Sequence, residues 1–94
     1  MKRNPSVWEA IENTLQEAAA MRARADLMIA LQERLTALRL TQAESAALLG
    51  VTQPRVSDLV RGKIDRFSID TLVDMLAHGG VRVGVTLRKS KAVA

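Results

Sequence analysis

The hydrophobic positions in the first part of the chain recur at helical spacing. From Leu15 to Leu38 there is no glycine or proline, and apolar residues recur at steps of three and four, namely Met21, Ala25, Met28, Leu31, Leu35 and Leu38. This spacing predicts a long helix with one apolar stripe facing a core. Thr14-Leu15-Gln16-Glu17 fits a capping box and predicts the helix start. Ser6-Val7-Trp8-Glu9 fits the same pattern and predicts a short turn before it.

Two short helices follow, separated by a glycine. Thr41-Gln42-Ala43-Glu44 is a third capping box, and the helix that it opens must end by Gly50, because glycine readily takes a positive φ in a turn. Thr52 then serves as the N-cap of a helix that ends at Gly62. Val56 and Leu59, three residues apart, are predicted to point inward.

The last part of the chain changes its period from helical to alternating. Ser68 caps a helix from Ile69 to about Ala77, with Ile69, Leu72, Val73 and Leu76 on the buried face, and Gly79-Gly80 ends it. From residue 81 to residue 87 apolar and other residues alternate, which predicts a half-buried strand. The apolar members are Val81, Val83, Val85 and Leu87.

A single strand cannot complete its backbone hydrogen bonds alone. We therefore predict that Val81, Val83, Val85 and Leu87 form a dimer interface, in which the strand pairs antiparallel with the same strand of a second copy. Addition of this strand to the sheet of a partner protein and a frayed tail are the two alternatives.

Two short helices joined by a tight glycine turn are typical of the helix-turn-helix, whose second helix puts its N-terminal residues against base edges in the major groove. A generic helical bundle is the alternative. The stretch TQPRVSDLVRGK, residues 52–63, favours DNA binding, because a bundle has no reason to place so many polar residues outward around the start and end of this helix.

The first turns of the second helix carry the candidate base contacts. Glutamine can make paired hydrogen bonds to adenine and arginine to guanine, so Gln53 and Arg55 are predicted to read bases. Pro54 offers an apolar edge to a thymine methyl group, and Ser57 can reach a base or a phosphate. Asp58 has two interpretations: it accepts from cytosine, or it orients Arg55 and Arg61 on the helix surface.

The candidate phosphate contacts lie at helix ends. The N-terminus of the first short helix presents backbone N–H groups to anions, so Thr41 and the Gln42 side chain are predicted to contact phosphate, as is Thr52 at the start of the second helix. Arg61 and Lys63 supply positive charge at the far end of the second helix. These contacts position the protein on DNA and carry no sequence information.

Composition limits the other classes of function. The 94 residues suffice for one domain, which we divide into an N-terminal segment (1–14), a helix-turn-helix domain (15–78) and a C-terminal strand with a basic tail (79–94). The net charge of +4 favours a polyanionic partner only modestly. We expect a cytosolic chain because there is no cysteine, no signal-peptide pattern and no run long enough to cross a membrane.

No catalytic or cofactor-binding constellation is present in the sequence. There is no cysteine, no tyrosine, no phosphate-binding loop and a single histidine, so we expect no enzyme activity, no metal and no cofactor. His78 is interpreted as a residue at a helix C-terminus that interacts with the helix dipole.

The stretch LTQAESAALLGVTQPRVSDLVRGK followed by FSIDTLVDML resembles the XRE-type, lambda-repressor-like helix-turn-helix proteins, and within them the HigA-like antitoxins found beside RelE- or HigB-like toxins. The resemblance runs from RADLMIAL, near Ala25, through the C-terminal strand. It implies an all-α domain of five helices followed by a C-terminal β-strand, and a dimeric repressor that binds a palindromic operator in its own operon.

By the pattern of this family, base contacts fall on Gln53, Pro54, Arg55, Ser57 and Asp58, and Gln42 touches phosphate. Ser45 departs from the family, where the corresponding position is more often apolar. This departure predicts looser packing of the first short helix.

A second class of function stays open at this point. In the alternative, the long helix and the terminal strand bind and neutralise a partner protein, and the helix-turn-helix is mainly a scaffold. Trp8 and Leu15 are the residues of the long helix that we expect to cover such a partner.

Overall fold

The fold consists of helices joined by short turns. The computed structural model describes the backbone of residues 7–89 and the side chains of residues 14–89. Four α-helices run α1 (Val7–Leu38), α2 (Gln42–Leu49), α3 (Gln53–Val60) and α4 (Ile69–His78), and a single 3₁₀ turn, Ile64–Arg66, lies between α3 and α4. The prediction of an all-helical domain is confirmed for this part of the chain, whereas the fifth helix is not found there.

Helix α1 begins well before the predicted start at Thr14. It is one continuous helix of 32 residues from Val7. Thr14 and Glu17 lie inside it, so the capping box assigned to them is wrong. The physical reason is that a Thr and a Glu three residues apart are also tolerated inside a helix, and no glycine or proline interrupts this region. The side chains of Ser6 and Trp8 lie outside the described residues.

One hydrophobic core holds the helices together. It is formed by the buried side chains of Met28, Leu31, Leu35, Leu49, Leu59, Phe67, Leu72, Met75 and Leu76. The predicted stripe of α1 is right at Met28, Leu31 and Leu35 and wrong at Met21, which is 43% exposed. No side chain from Thr14 to Asp26 is fully buried, because the described core contacts of α1 come from Leu27 onward.

Two hydrogen bonds tie α1 to the ends of other helices. Gln32 Nε2 donates to the carbonyl oxygen of Leu59 at 2.8 Å, and Arg34 Nε donates to that of Gly79 at 2.8 Å. The last carbonyls of a helix have no partner within the helix, so side chains that reach them fix the helix end. The C-terminal ends of α3 and α4 are thereby held to α1.

Helix α4 begins and ends where the sequence predicts. The Ser68 side chain accepts from the Thr71 backbone N–H at 3.1 Å, and the helix stops before Gly79. Its buried face is shifted from the predicted one: Ile69 is 38% exposed, Val73 is half-buried, and Met75 is buried together with Leu72 and Leu76.

Residues 81–89 do not form a strand within the described chain, so the predicted C-terminal strand is not found. Val81 and Val83 are half-buried against the core, but Val85 is 82% exposed and Leu87 is 89% exposed. Beyond the Val81 N–H, which donates to the Leu76 carbonyl at 2.8 Å, no backbone hydrogen bond joins residues 82–89 to the rest of the described chain. A strand needs a partner strand, and the described residues contain none.

The charged residues of α1 interrupt its apolar positions. None of the described helices is both long enough and apolar enough to cross a bilayer.

Candidate nucleic-acid interface

The first helix of the pair starts with the predicted capping box. The backbone N–H of Glu44 donates to Thr41 Oγ1 at 3.1 Å, and the Thr41 N–H donates to Glu44 Oε1 at 2.9 Å. The bond from the Thr41 backbone, helped by the Thr41 hydroxyl, holds the pKa of Glu44 below its usual value. Gln42, the first residue of α2, is exposed at this helix start.

The turn between α2 and α3 depends on Gly50, as predicted. Gly50 has a φ of 69° and a ψ of 32°, which is the left-handed conformation that glycine adopts without steric cost. The next N–H, that of Val51, donates back to the Ala46 carbonyl at 3.0 Å and closes the end of α2. Ala46 is buried beneath the turn, so the two helices approach closely.

Ser45 is the buried polar residue of the described core. It lies on the inner face of α2 beside Ala46 and is 3% exposed. Among the described residues no buried side-chain nitrogen or oxygen lacks a hydrogen-bond partner. The serine is thus accommodated without an orphaned polar group, and looser packing of α2 stays a prediction.

Helix α3 exposes its first turn and buries the face behind it. Thr52 caps it, accepting from the Arg55 N–H at 3.4 Å, and Pro54 occupies the first turn, where a missing N–H costs nothing. Val56 and Leu59 are buried, as predicted. Thr52, Gln53 and Pro54 are exposed and Ser57 is half-buried, so the first turn of the second helix is open to solvent.

Arg55 lies in a different environment from its neighbours. Its guanidinium carbon is 4.2 Å from the centroid of the Phe67 ring, and its Nη1 donates to the Arg66 carbonyl at 2.7 Å. The Phe67 ring is buried in the core. Arg55 is thus half-buried and bonded within the chain, unlike the exposed Gln53.

Asp58 pairs with cations of the loop that follows α3. Arg66 Nη1 lies 3.1 Å from both carboxylate oxygens, and Lys63 Nζ lies 3.8 Å from Asp58 Oδ1. The prediction that Asp58 orients Arg55 and Arg61 is therefore wrong in its partners. The chain turns back after Gly62, which brings residues 63 and 66 to the carboxylate. The spacing of residues along a helix does not predict such a turn.

The far end of α3 carries further positive charge. Arg61 is exposed at the C-cap and Lys63 is half-buried. Arg66 joins this end of the site with 55% of its side chain exposed, and sequence reasoning missed it. The sequence feature that indicates Arg66 is a cluster of three cations within six residues, namely Arg61, Lys63 and Arg66. The spacing of apolar residues does not show that these three lie on one surface.

A shallow cleft connects the start of α2 with α3. It has a volume of about 330 Å³ and is lined among others by Gln42, Val56 and Val60. Gln42 therefore lies beside the second helix, whereas the predicted dimer residues Val81, Val83, Val85 and Leu87 belong to the separate C-terminal segment.

His78 is the last residue of α4. Its Nδ1 is 2.9 Å from the Asp74 carbonyl oxygen and 3.6 Å from Asp74 Oδ2. These contacts belong to the last turn of the helix. Within residues 14–89 no group of three or more His, Cys, Asp or Glu side chains is arranged to hold a metal.

Comparison with known proteins identifies a family and a similar fold. Residues 10–88 match a family described as a helix-turn-helix domain. A solved structure of a protein assigned to the XRE family of transcriptional regulators is similar in fold, with a TM-score of 0.73, 32% sequence identity, and coverage of 83% of this chain and 88% of that one. No curated protein matches the chain.

Proposed function

The chain belongs to the helix-turn-helix domain family, and from this premise we propose that it is a sequence-specific repressor that acts on its own operon as the antitoxin of a toxin–antitoxin pair. The family and the similarity to an XRE-type regulator support a DNA-binding transcriptional regulator and a non-enzyme. The HigA-like role, the operator and the partners are the finer part of the proposal.

The observation that carries the proposal is the open first turn of α3. Gln53 and Pro54 are exposed there, while Val56 and Leu59 anchor the helix in the core. An anchored helix with a solvated N-terminal turn can enter a major groove without unfolding. In the proposed complex Gln53 pairs with adenine, Pro54 contacts a thymine methyl group, and Ser57 reaches a base or a phosphate.

The proposed phosphate contacts flank this turn. Thr41 and Gln42 at the start of α2, and Thr52 at the start of α3, lie where backbone N–H groups favour an anion. Arg61 and Lys63 provide positive charge at the other end of α3. Together they would hold the helix in register across the groove.

The dimer is proposed to form through residues 81–87. The backbone of residues 82–89 has no hydrogen-bond partner in the described chain, and Val85 and Leu87 leave apolar side chains in water. Antiparallel pairing with a second copy would satisfy both, and the twofold axis would place two recognition helices about 34 Å apart for a palindromic operator.

The experiment is footprinting of the protein on the DNA upstream of its own gene. Autoregulation predicts a protected palindrome with two half-sites. Absence of protection there, with binding elsewhere in the genome, would contradict autorepression and leave the DNA-binding role intact.

The dimer is tested by replacing Val83 with proline, which removes a backbone donor from the pairing segment. The four helices are expected to stay folded, because Val83 is only half-buried at the edge of the core and no backbone hydrogen bond joins it to the rest of the described chain. Ultracentrifugation should then give a monomer with much weaker operator binding. A variant that still sediments as a dimer would show that the helices form the interface.

A second function is favoured by one observation. Leu15, Met21 and Ile29 are exposed on α1, and none of the side chains described from Thr14 to Asp26 belongs to the buried core. Such side chains suit a protein partner, as in the alternative where the chain mainly neutralises a RelE- or HigB-like toxin. Leu15→Ser combined with Met21→Ser should abolish partner binding and spare DNA binding, because both side chains are exposed. Loss of both activities would make this part of α1 structural.

A further inference from the structure

Arg55 belongs to the first turns of the recognition helix, yet the segment after that helix holds its side chain. The guanidinium stacks 4.2 Å above the centroid of Phe67 and donates to the Arg66 carbonyl at 2.7 Å. A cation over an aromatic face is attracted by the ring, and a charged donor makes a strong bond to a carbonyl. Both contacts connect α3 to residues 66 and 67.

Asp58 makes the same connection from one turn further along the helix. Its carboxylate accepts two bonds from Arg66 and lies 3.8 Å from Lys63. Residues three apart lie on one side of a helix. Arg55 and Asp58 thus contact the loop of residues 61–67. The contacted groups are the Arg66 carbonyl, the Phe67 ring and the charged side chains of Lys63 and Arg66.

We propose that Arg55 is a positioning residue that fixes residues 61–67 against the recognition helix, and so places Lys63 and Arg66 for the phosphate backbone, instead of reading a base. This inference rests on the proposed DNA-binding function. The hydrogen-bonding groups of an arginine suit guanine, which is why the sequence predicts that Arg55 contacts a base.

The contacts of Arg55 within the chain compete with contacts to a base. To pair with guanine, the guanidinium must present two donors in the plane of the base edge. In the structure it stacks on Phe67 and one terminal nitrogen is bonded to Arg66. Moving the guanidinium away from the ring to reach a base would give up both contacts. Gln53 and Pro54 are exposed in the same turn and can reach a base without such a loss.

The test measures binding to an operator and to a panel of duplexes in which each base pair is changed in turn. Arg55→Ala is expected to weaken binding about three- to tenfold on every duplex and to keep the order of base preference. Phe67→Leu, which removes the ring but no charge, is expected to cause a similar uniform loss. The double variant should lose little more than either single variant, because both remove one contact.

Gln53→Ala is the matched control, since it removes an exposed side chain of the same turn. It should change base preference at one operator position. If Arg55→Ala also removes preference at a position of its own, while Phe67→Leu does not, the positioning role is overturned and the proposed function stands. If the unaltered protein shows no base preference at all, the proposed function itself fails.

A measurement on the unaltered protein avoids the question of whether the variants fold. The Phe67 ring current should shift the Arg55 side-chain protons upfield in proton NMR spectra, because they lie near its face. We expect this shift to persist when the operator is added. Loss of the shift on binding would mean that Arg55 leaves the ring for the DNA, which contradicts the proposal.

Discussion

The helix pair α2–α3 and the C-terminal segment 81–89 have equally clear patterns in the sequence. The pair forms its predicted helices in the structure, and the segment does not form its predicted strand. The helix pair is capped, buried on one face and closed by a glycine turn. The segment has the same wealth of apolar residues but leaves Val85 and Leu87 in solvent. A helix completes its backbone hydrogen bonds within itself, whereas a strand needs a second strand. A clear helical pattern therefore predicts the structure of one chain, and an equally clear strand pattern does not.

The largest expected contrast between the two regions is in stability. Leu59 is completely buried and Leu87 is 89% exposed. Leu59→Ala should lower the free energy of unfolding by about 2–5 kcal/mol, because it leaves a cavity in the core. Leu87→Ala should change it by less than about 0.5 kcal/mol in the monomer.

Urea unfolding at low protein concentration measures both variants. A cost at Leu87 that grows with protein concentration would come from a dimer. Equal losses in dilute protein would show that the segment belongs to the folding unit.

The next contrast is between residues that contact bases and residues that contact phosphates, in and directly after the helix pair. Gln53→Ala should cost about 1–3 kcal/mol on the operator and relax preference at one base position. Lys63→Ala should weaken binding to all sequences alike and lower the salt slope by roughly one unit. Fluorescence anisotropy titrations at several salt concentrations distinguish them, with Gln16→Ala on the exposed part of α1 as the control. Identical, sequence-independent losses would refute the division.

A smaller contrast compares one glycine from each region. Gly50 has a φ of 69°, so Gly50→Ala should destabilise the fold by roughly 1–2 kcal/mol through strain in the left-handed conformation. A Cβ at Gly84 would meet nothing within 4 Å. Gly84→Ala is therefore the control and should leave the melting temperature of the monomer almost unchanged. A neutral Gly50→Ala would show that the turn can be remade without glycine.

The smallest effect is a pH dependence at the start of α2. Because the folded pKa of Glu44 is lowered, its stabilisation is fully present above the unfolded pKa and is lost as pH falls through the folded value. The gap in urea midpoint between the unaltered protein and Glu44→Gln should thus shrink from pH 7 to pH 3. Glu33→Gln, on the exposed face of α1, is the control. A gap that stayed constant with pH would contradict a role for the ionised carboxylate.

The features that local chemistry determines were predictable. Thr41, Thr52 and Ser68 cap their helices and Gly50 makes the turn because each acts on atoms within a few residues. Thr14 fits the same rule and is not a cap, since the helix runs without interruption from Val7 past Thr14.

The contacts that form where the chain folds back on itself were not predictable from the spacing of residues along the sequence. The stack of Arg55 on Phe67 and the pairing of Asp58 with Arg66 join residues that are eight or more apart across a turn. Periodicity describes a face of one element and says nothing about which loop folds over it. The burial of Met75 instead of Ile69 has a similar cause, because the neighbouring helices determine which part of an apolar face is covered.

The continuity of α1 gives the domain a mechanical property. A helix of 32 residues is a stiff rod about 48 Å long, and it has no glycine or proline from Val7 to Leu38 at which to bend. Its C-terminal half is bonded through Gln32 to the end of α3. A torque on the N-terminal half therefore turns the whole rod and acts directly on the helix that carries Gln53.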